Sequence, residues 1–149
     1  MTSTRTYPVL VVEDSDEDFA TLHVAFKAAG LKNEIRRVTS GDKCLALLRS
    51  STNESFHRPA LVLMDLNTPG TDGRGALESI KADPALRDLP VVVSSTSANV
   101  KDLEFCYRMG ANAHHVKPVR YRDHMQLLEG VFGYWLGSVF LPNSANSLL

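Results

Sequence analysis

A chain of 149 residues, 44% hydrophobic and 22% charged, has enough apolar material for one real core and is not composed like a disordered segment. A net charge of -1 gives no electrostatic reason to expect nucleic acid or an anionic membrane as a partner. No apolar run approaches the roughly 20 residues of a membrane span, and the polar start from Met1 to Pro8 lacks an apolar signal core, so a cytoplasmic location is expected.

The first apolar run, PVLVVE from Pro8 to Glu13, reads as a strand buried on both faces. A helix follows in SDEDFATLHVAFKAAG. Ser15 with Asp18 resembles a capping box, Phe19, Leu22, Phe26 and Ala29 form an apolar stripe, and Gly30 can close the end. EIRRV (34–38) is weaker, as suits an edge strand. SGDKCLALLRS places Leu45 and Leu48 on a second helix. ALVLMD (60–65) is a third strand, and DGRGALESIKAD carries Leu77 and Ile80 on a third helix that Pro84 stops. PVVVSS (90–95) is the fourth strand. NVKDLEFCYRMG puts Val100, Leu103 and Tyr107 on the fourth helix, with Asn99 as cap and Gly110 as stop. AHHV (113–116) is the fifth strand, and a last helix starts near Tyr121. Cys44 and Cys106, far apart, read as core thiols, and the tail from Asn143 to Leu149 is expected to fray.

Strand and helix alternate five times, the pattern of a doubly wound α/β fold. In such sheets ligands sit beyond the carboxyl ends of the strands. Those ends carry Glu13-Asp14, Asp65, Ser94-Ser95-Thr96 and Lys117-Pro118. Crowded carboxylates repel, and a hard dication with oxygen preference, Mg²⁺, is the natural remedy. A hydroxyl and an ammonium beside the acids suit a phosphoryl group, which makes Asp65 a candidate nucleophile. Taken singly, each of these residues has an ordinary role as cap, turn or strand exit. Their order at successive strand ends is the specific signal.

The elements VLVVEDSDED, LVLMDLNTPGTDG, LPVVVSSTS and GANAHHVKPV resemble the CheY-like receiver domain of two-component response regulators, from about Tyr7 to about Glu129. The resemblance implies a five-stranded parallel sheet of order 2-1-3-4-5 with helices on both faces. It also implies Mg²⁺ held by Glu13, Asp14, Asp65 and the backbone carbonyl of Asn67. Asp65 matches the phosphoacceptor, Ser95 the hydroxyl that bonds the phosphoryl group, and Lys117 the lysine that pairs with it. The Lys117–Pro118 bond is expected to be cis. Asn67 and Ser97 match positions that tune autodephosphorylation. The chain departs from the family at Thr68, where Met is usual, and at His114, where an aromatic switch residue is usual. His114 reads either as a flat ring or as a group whose charge makes the switch sensitive to pH. No histidine is expected to ligate metal: His114 and His115 are strand neighbours on opposite faces, and His23 and His57 lack partners at ligand spacing.

On this reading residues 7–129 form the receiver and 130–149 an extension of the last helix, with no output domain and no DNA-binding region. Signalling then runs through protein contacts. Met125, Leu128, Phe132, Trp135 and Val139 recur at helical spacing beside Leu127, Val131 and Tyr134, more apolar surface than one core face requires. This predicts a homodimer through the last helix and a C-terminal arm. The FGYWLGSVFLP ending resembles the single-domain regulators that partner phytochromes, which implies a phytochrome-type sensor histidine kinase as phosphodonor. Arg120 and Arg122 could steer an acidic kinase surface. The alternative is a degenerate receiver acting as a constitutive dimeric docking module. A dehalogenase-type hydrolase would need an acid where Asn67 stands, and an FMN binder would not place EDSDED at its phosphate loop. The chain is therefore expected to act as a phosphoacceptor and not as an enzyme on other substrates.

Overall fold

A computed structural model describes residues 7–50, 58–67 and 73–142 of the chain. His57, Thr68, Pro69 and the tail from Asn143 lie outside the described residues. The elements follow in the order β1 (Val9–Val12), α1 (Asp16–Ala28), β2 (Ile35–Val38), α2 (Gly41–Arg49), β3 (Leu61–Asp65) and α3 (Gly73–Ala82). Then come β4 (Val91–Ser95), α4 (Val100–Met109), β5 (Ala113–Val116) and α5 (Tyr121–Gly133), which runs on into a π-helical turn, Tyr134–Ser138. The strands form one parallel sheet in the order β2-β1-β3-β4-β5.

Alternation along the strands divides the core in two. Leu10, Val12, Val62, Met64, Val91 and Val93 face α2, α3 and α4, where they meet Leu48, Leu77, Ile80 and Cys106. Val9, Val11, Leu61, Leu63 and Val92 face α1 and α5, where they meet Phe26, Leu128 and Phe132. Every residue of β1 and β3 is buried, because each strand has neighbours in the sheet and helices on both faces. The edge strand β2 is half-buried along its length. Gly30 (φ 71°) and Gly110 (φ 106°) end α1 and α4 in left-handed conformations that side chains rarely adopt. Cys44 and Cys106 are both buried, unpaired thiols, and burial pushes the Cys44 thiol up to about 12.

Two expectations need correction, and α4 faces the sheet with residues that, Cys106 aside, the sequence does not single out. Val100, Leu103 and Tyr107 are exposed, and α4 turns Cys106, Phe105 and Met109 toward the sheet instead. The 100/103/107 side and the 105/106/109 side of the helix both carry apolar residues, and only packing chooses between them. In α5 part of the apolar surplus belongs to its own domain, while Met125, Trp135 and Val139 are half-buried. Leu128 and Phe132, expected at a dimer contact, are buried, with Phe132 edge-on to Phe26 at 5.2 Å between ring centres. Met125, Leu127, Trp135 and Leu136 pack against the same cluster. The π turn, closed by Val139 N–H donating to the Tyr134 carbonyl at 3.1 Å, widens the helix where Trp135 and Leu136 meet the core. What stays exposed there is Tyr134 and Phe140. Finally, among the described residues no peptide bond is cis, so Lys117–Pro118 is trans, the form that X-Pro bonds favour by about 0.5–1 kcal/mol.

Candidate functional site

Parallel strands deliver their carboxyl ends to one edge, and there β1, β3 and β5 bring Glu13, Asp65 and Lys117 together. The Lys117 ammonium donates to Glu13 Oε1 at 2.6 Å, Asp65 Oδ2 at 2.8 Å and Asp18 Oδ2 at 2.8 Å. The side chains of Lys117, Glu13 and Asp65 are all less than a tenth exposed. A buried charge needs this kind of pairing, because water no longer solvates it.

Burial pulls the Lys117 pKa down, but hydrogen bonds to Asp18, Asp65 and Glu13 outweigh it, so the ammonium is held above its ordinary value. For Glu13, burial raises the carboxyl most; the Lys117 hydrogen bond lowers it and the Asp65 charge raises it further, leaving it at about 7.

Asp65 is fixed from a second side. Its Oδ1 accepts the Asn67 backbone N–H at 2.8 Å, and Leu66 N–H bonds the Ser94 carbonyl. The start of α3 presses directly on this strand end: a Cβ on Gly73 would lie 2.8 Å from the Asp65 carbonyl oxygen and from Leu66 Cα. The glycine after the turn is therefore required by close approach, a reason for its place in TPGTDG that the sequence pattern does not reveal.

The acids gathered by the fold differ from those chosen by sequence. Carboxylate oxygens of Glu13, Asp18 and Asp65 lie within 4.8 Å of one another. Asp14 is exposed and stands outside that group. Consecutive residues leaving a strand point to different sides, whereas the first turn of α1 carries Asp18 over the sheet edge. Asp18 shows as a half-formed capping box. Its backbone N–H donates to Ser15 Oγ at 3.1 Å, but its carboxylate goes to Lys117, and the Ser15 N–H donates to Glu13 Oε2 at 3.2 Å. By spacing alone Asp18 signals only a cap.

Ser95 is buried at the end of β4, and its hydroxyl donates to the Ser97 carbonyl at 3.1 Å. His114 Nε2 lies 3.4 Å from the same hydroxyl oxygen. Because that hydroxyl hydrogen is already given to Ser97, Nε2 is assigned as the donor and Nδ1, buried with no partner among the described residues, as the bare nitrogen. Burial also lowers the His114 pKa, against Asp102, which raises it, and with Arg74, which lowers it. The neutral ring suits this position. Ser97 Oγ accepts the Asn99 N–H at 3.1 Å. The Asn67 side chain, exposed, donates to Thr96 Oγ1 at 3.3 Å, a link between two loops that sequence reading did not anticipate.

The donor set fits a divalent cation. Three carboxylates share one ammonium, which leaves negative charge uncompensated in a buried place, and all the donors are hard oxygens. The apolar groove between β5 and α5, about 490 Å³ and lined by Ala113, His115, Leu127 and Trp135 among others, lies apart from this cluster.

Residues 9–129 match the response regulator receiver domain family. The chain is 34% identical over 135 residues to response regulator Rcp1 of Synechocystis sp., covering 90% of this chain and 92% of that protein. Its fold superposes on the crystal structure of the phosphorylated cyanobacterial phytochrome response regulator RcpA with a TM-score of 0.86, at 33% identity, covering 93% of this chain and 99% of that one. The Mn²⁺-bound form of response regulator Rcp1 gives the same TM-score, 0.86, at 34% identity over 91% of this chain and 99% of that one. With its parallel five-stranded sheet and its acids and lysine gathered at one edge, the chain belongs to the response regulator receiver domain family.

Proposed function

We propose that this receiver is a phosphorylated switch: Asp65 accepts a phosphoryl group from a phosphohistidine of a sensor kinase, with Mg²⁺ as cofactor. The observation that carries the reading is the buried Lys117 ammonium joining Asp65, Glu13 and Asp18 beside Ser95. An Asp65 carboxylate oxygen forms the new bond to phosphorus. The nitrogen–phosphorus bond of the donor breaks, and the freed imidazole takes up a proton. Lys117 neutralises charge on the incoming group, and Ser95 leaves the Ser97 carbonyl to bond it. Catalysis of this kind is positioning plus charge compensation. In this reading Glu13, Asp65 and the Asn67 carbonyl would hold the ion, joined by Asp14 from its exposed position beside the cluster, while Asp18 keeps Lys117 paired. Bound Mg²⁺ would neutralise the acids and the phosphoryl oxygens. Asn67 and Ser97 flank the phosphoryl group and set its lifetime.

The kinase is of phytochrome type, a reading supported by the relative RcpA, described as a cyanobacterial phytochrome response regulator. Output passes to a protein partner or a second copy. With Leu128 and Phe132 buried, the exposed Tyr134 and Phe140 and the half-buried Met125, Trp135 and Val139 are left for such a contact. Acetyl phosphate with Mg²⁺, added to wild type and to Asp65→Asn and followed by intact mass and Trp135 fluorescence, tests the switch. A covalent adduct in wild type alone supports it. The absence of any adduct with an unchanging dimeric mass would transfer the reading to a constitutive docking module.

A further inference from the structure

Arg37 stands on the edge strand β2 and belongs to no set of residues considered above. Its side chain is 21% exposed. Its Nε–H donates to the Glu13 carbonyl oxygen at 2.9 Å, its Nη1 pairs with Asp16 at 2.8 Å, and its guanidinium carbon lies 4.7 Å from the centre of the Phe19 ring. All three contacts fall on one stretch of chain, from the end of β1 into α1. That stretch carries Glu13, Asp14 and Asp18.

Both sides of Glu13 are thereby tied to β2. Its N–H donates to the Val38 carbonyl at 3.0 Å and its C=O accepts from Arg37. These two bonds set the direction in which the Glu13 side chain leaves β1. The order passes along the segment: the Ser15 N–H donates to Glu13 Oε2, and the Asp18 N–H to Ser15 Oγ. A guanidinium is planar, with donors in fixed directions, so contacts through Nε, Nη1 and the ring face constrain a segment in a way an ammonium could not. Stability alone explains this poorly. Asp16 is 94% exposed, and such pairs contribute little. Among the described residues Arg37 Nη2 is buried without a hydrogen-bond partner, which is unfavourable.

We infer that Arg37 is a positioning residue for the divalent-metal site: its guanidinium holds the Glu13–Asp18 segment so that its acids present to the ion. This rests on the metal-dependent reading proposed above.

The sign of one measurement separates positioning from simple electrostatics. A cation beside an acidic cluster repels an incoming dication, so deleting its charge alone would tighten metal binding. Loss of a group that orients ligands weakens it, by roughly 10–100-fold in comparable outer-shell substitutions. Mn²⁺ is titrated calorimetrically into the full chain as wild type, Arg37→Gln, Arg37→Lys and Asp16→Asn, well below each variant's unfolding midpoint. Arg37→Gln is expected to lose about tenfold in Mn²⁺ affinity. Arg37→Lys, which keeps the charge without the fork, is expected to lose a comparable factor, and Asp16→Asn less. In the metal-free protein the Ser15 and Asp18 amides of Arg37→Gln should exchange hydrogen faster than in wild type, while the Leu63 amide of β3 should not. Unchanged or tighter Mn²⁺ binding in Arg37→Gln, with normal binding in wild type, overturns the positioning role alone. Failure of wild type to bind Mn²⁺ overturns the metal reading together with it.

Discussion

Lys117 and Lys81 sit at opposite ends of the sheet and are held in opposite ways. Lys117 faces three carboxylates. Lys81, in the last turn of α3, faces three neutral oxygens: the carbonyls of Arg87 and Leu89 at 3.0 and 2.8 Å and the Asn112 side chain at 3.1 Å. Burial lowers the pKa of Lys81, and the Asp88 charge does not make up the difference. Burial acts on Lys117 in the same direction, but there the carboxylates reverse the outcome. The neutral cradle is complete once the ammonium is in it, and it pins the loops before β4 and β5. The acidic cradle keeps negative charge left over, which an ion or a charge-transferring reaction can use. A buried lysine is thus a fastening or a working group according to whether its partners are neutral or charged.

The comparison breaks most sharply at Asp65. Asp65→Asn is expected to abolish phosphoryl incorporation while leaving the fold intact, read by intact mass after acetyl phosphate and Mg²⁺. Lys117→Met leaves buried carboxylates without their cation and should cost about 3 kcal/mol in metal-free urea unfolding; added Mg²⁺ should recover more stability in this variant than in wild type. Lys81→Met strands neutral oxygens that water partly reaches and should cost about 1 kcal/mol, with phosphoryl incorporation unchanged. If Lys81→Met impaired incorporation, the division between fastening and working lysine would fail.

A pH dependence is also expected. The Glu13 carboxyl rises from 4.5 to about 7 on folding, so the native state binds its proton more tightly than the unfolded chain does. Its contribution to stability is therefore fully present below pH 4.5 and is lost as pH rises through about 7. Metal-free unfolding curves across that window should show the decline, and Glu13→Gln should flatten it.

Much of this was legible beforehand. The continuous apolar runs of β1, β3 and β4 reported burial on both faces, and the acids and lysine at strand ends reported the site. Asp18 was legible only as a cap, because sequence shows its distance from Ser15 but not from Lys117, 99 positions away. Gly73 and Arg37 were silent for the same reason: each acts through contact with a different strand. The inward packing of Leu128 and Phe132 is not legible in the sequence, since an apolar stripe does not say which of two candidate faces finds a partner.

The sequence by itself determined which segments are strands, which are helices, and that Asp65, Glu13 and Lys117 leave strands at their carboxyl ends. Those are local properties, set by periodicity, capping and the direction of the chain. The tertiary structure decided that Asp18 and not Asp14 closes the acid cluster, that Leu128 and Phe132 belong to the core, and that Arg37 grips the acid-bearing segment. These follow from where residues distant in sequence meet in the packed sheet and helices, and no periodicity along the chain encodes that meeting.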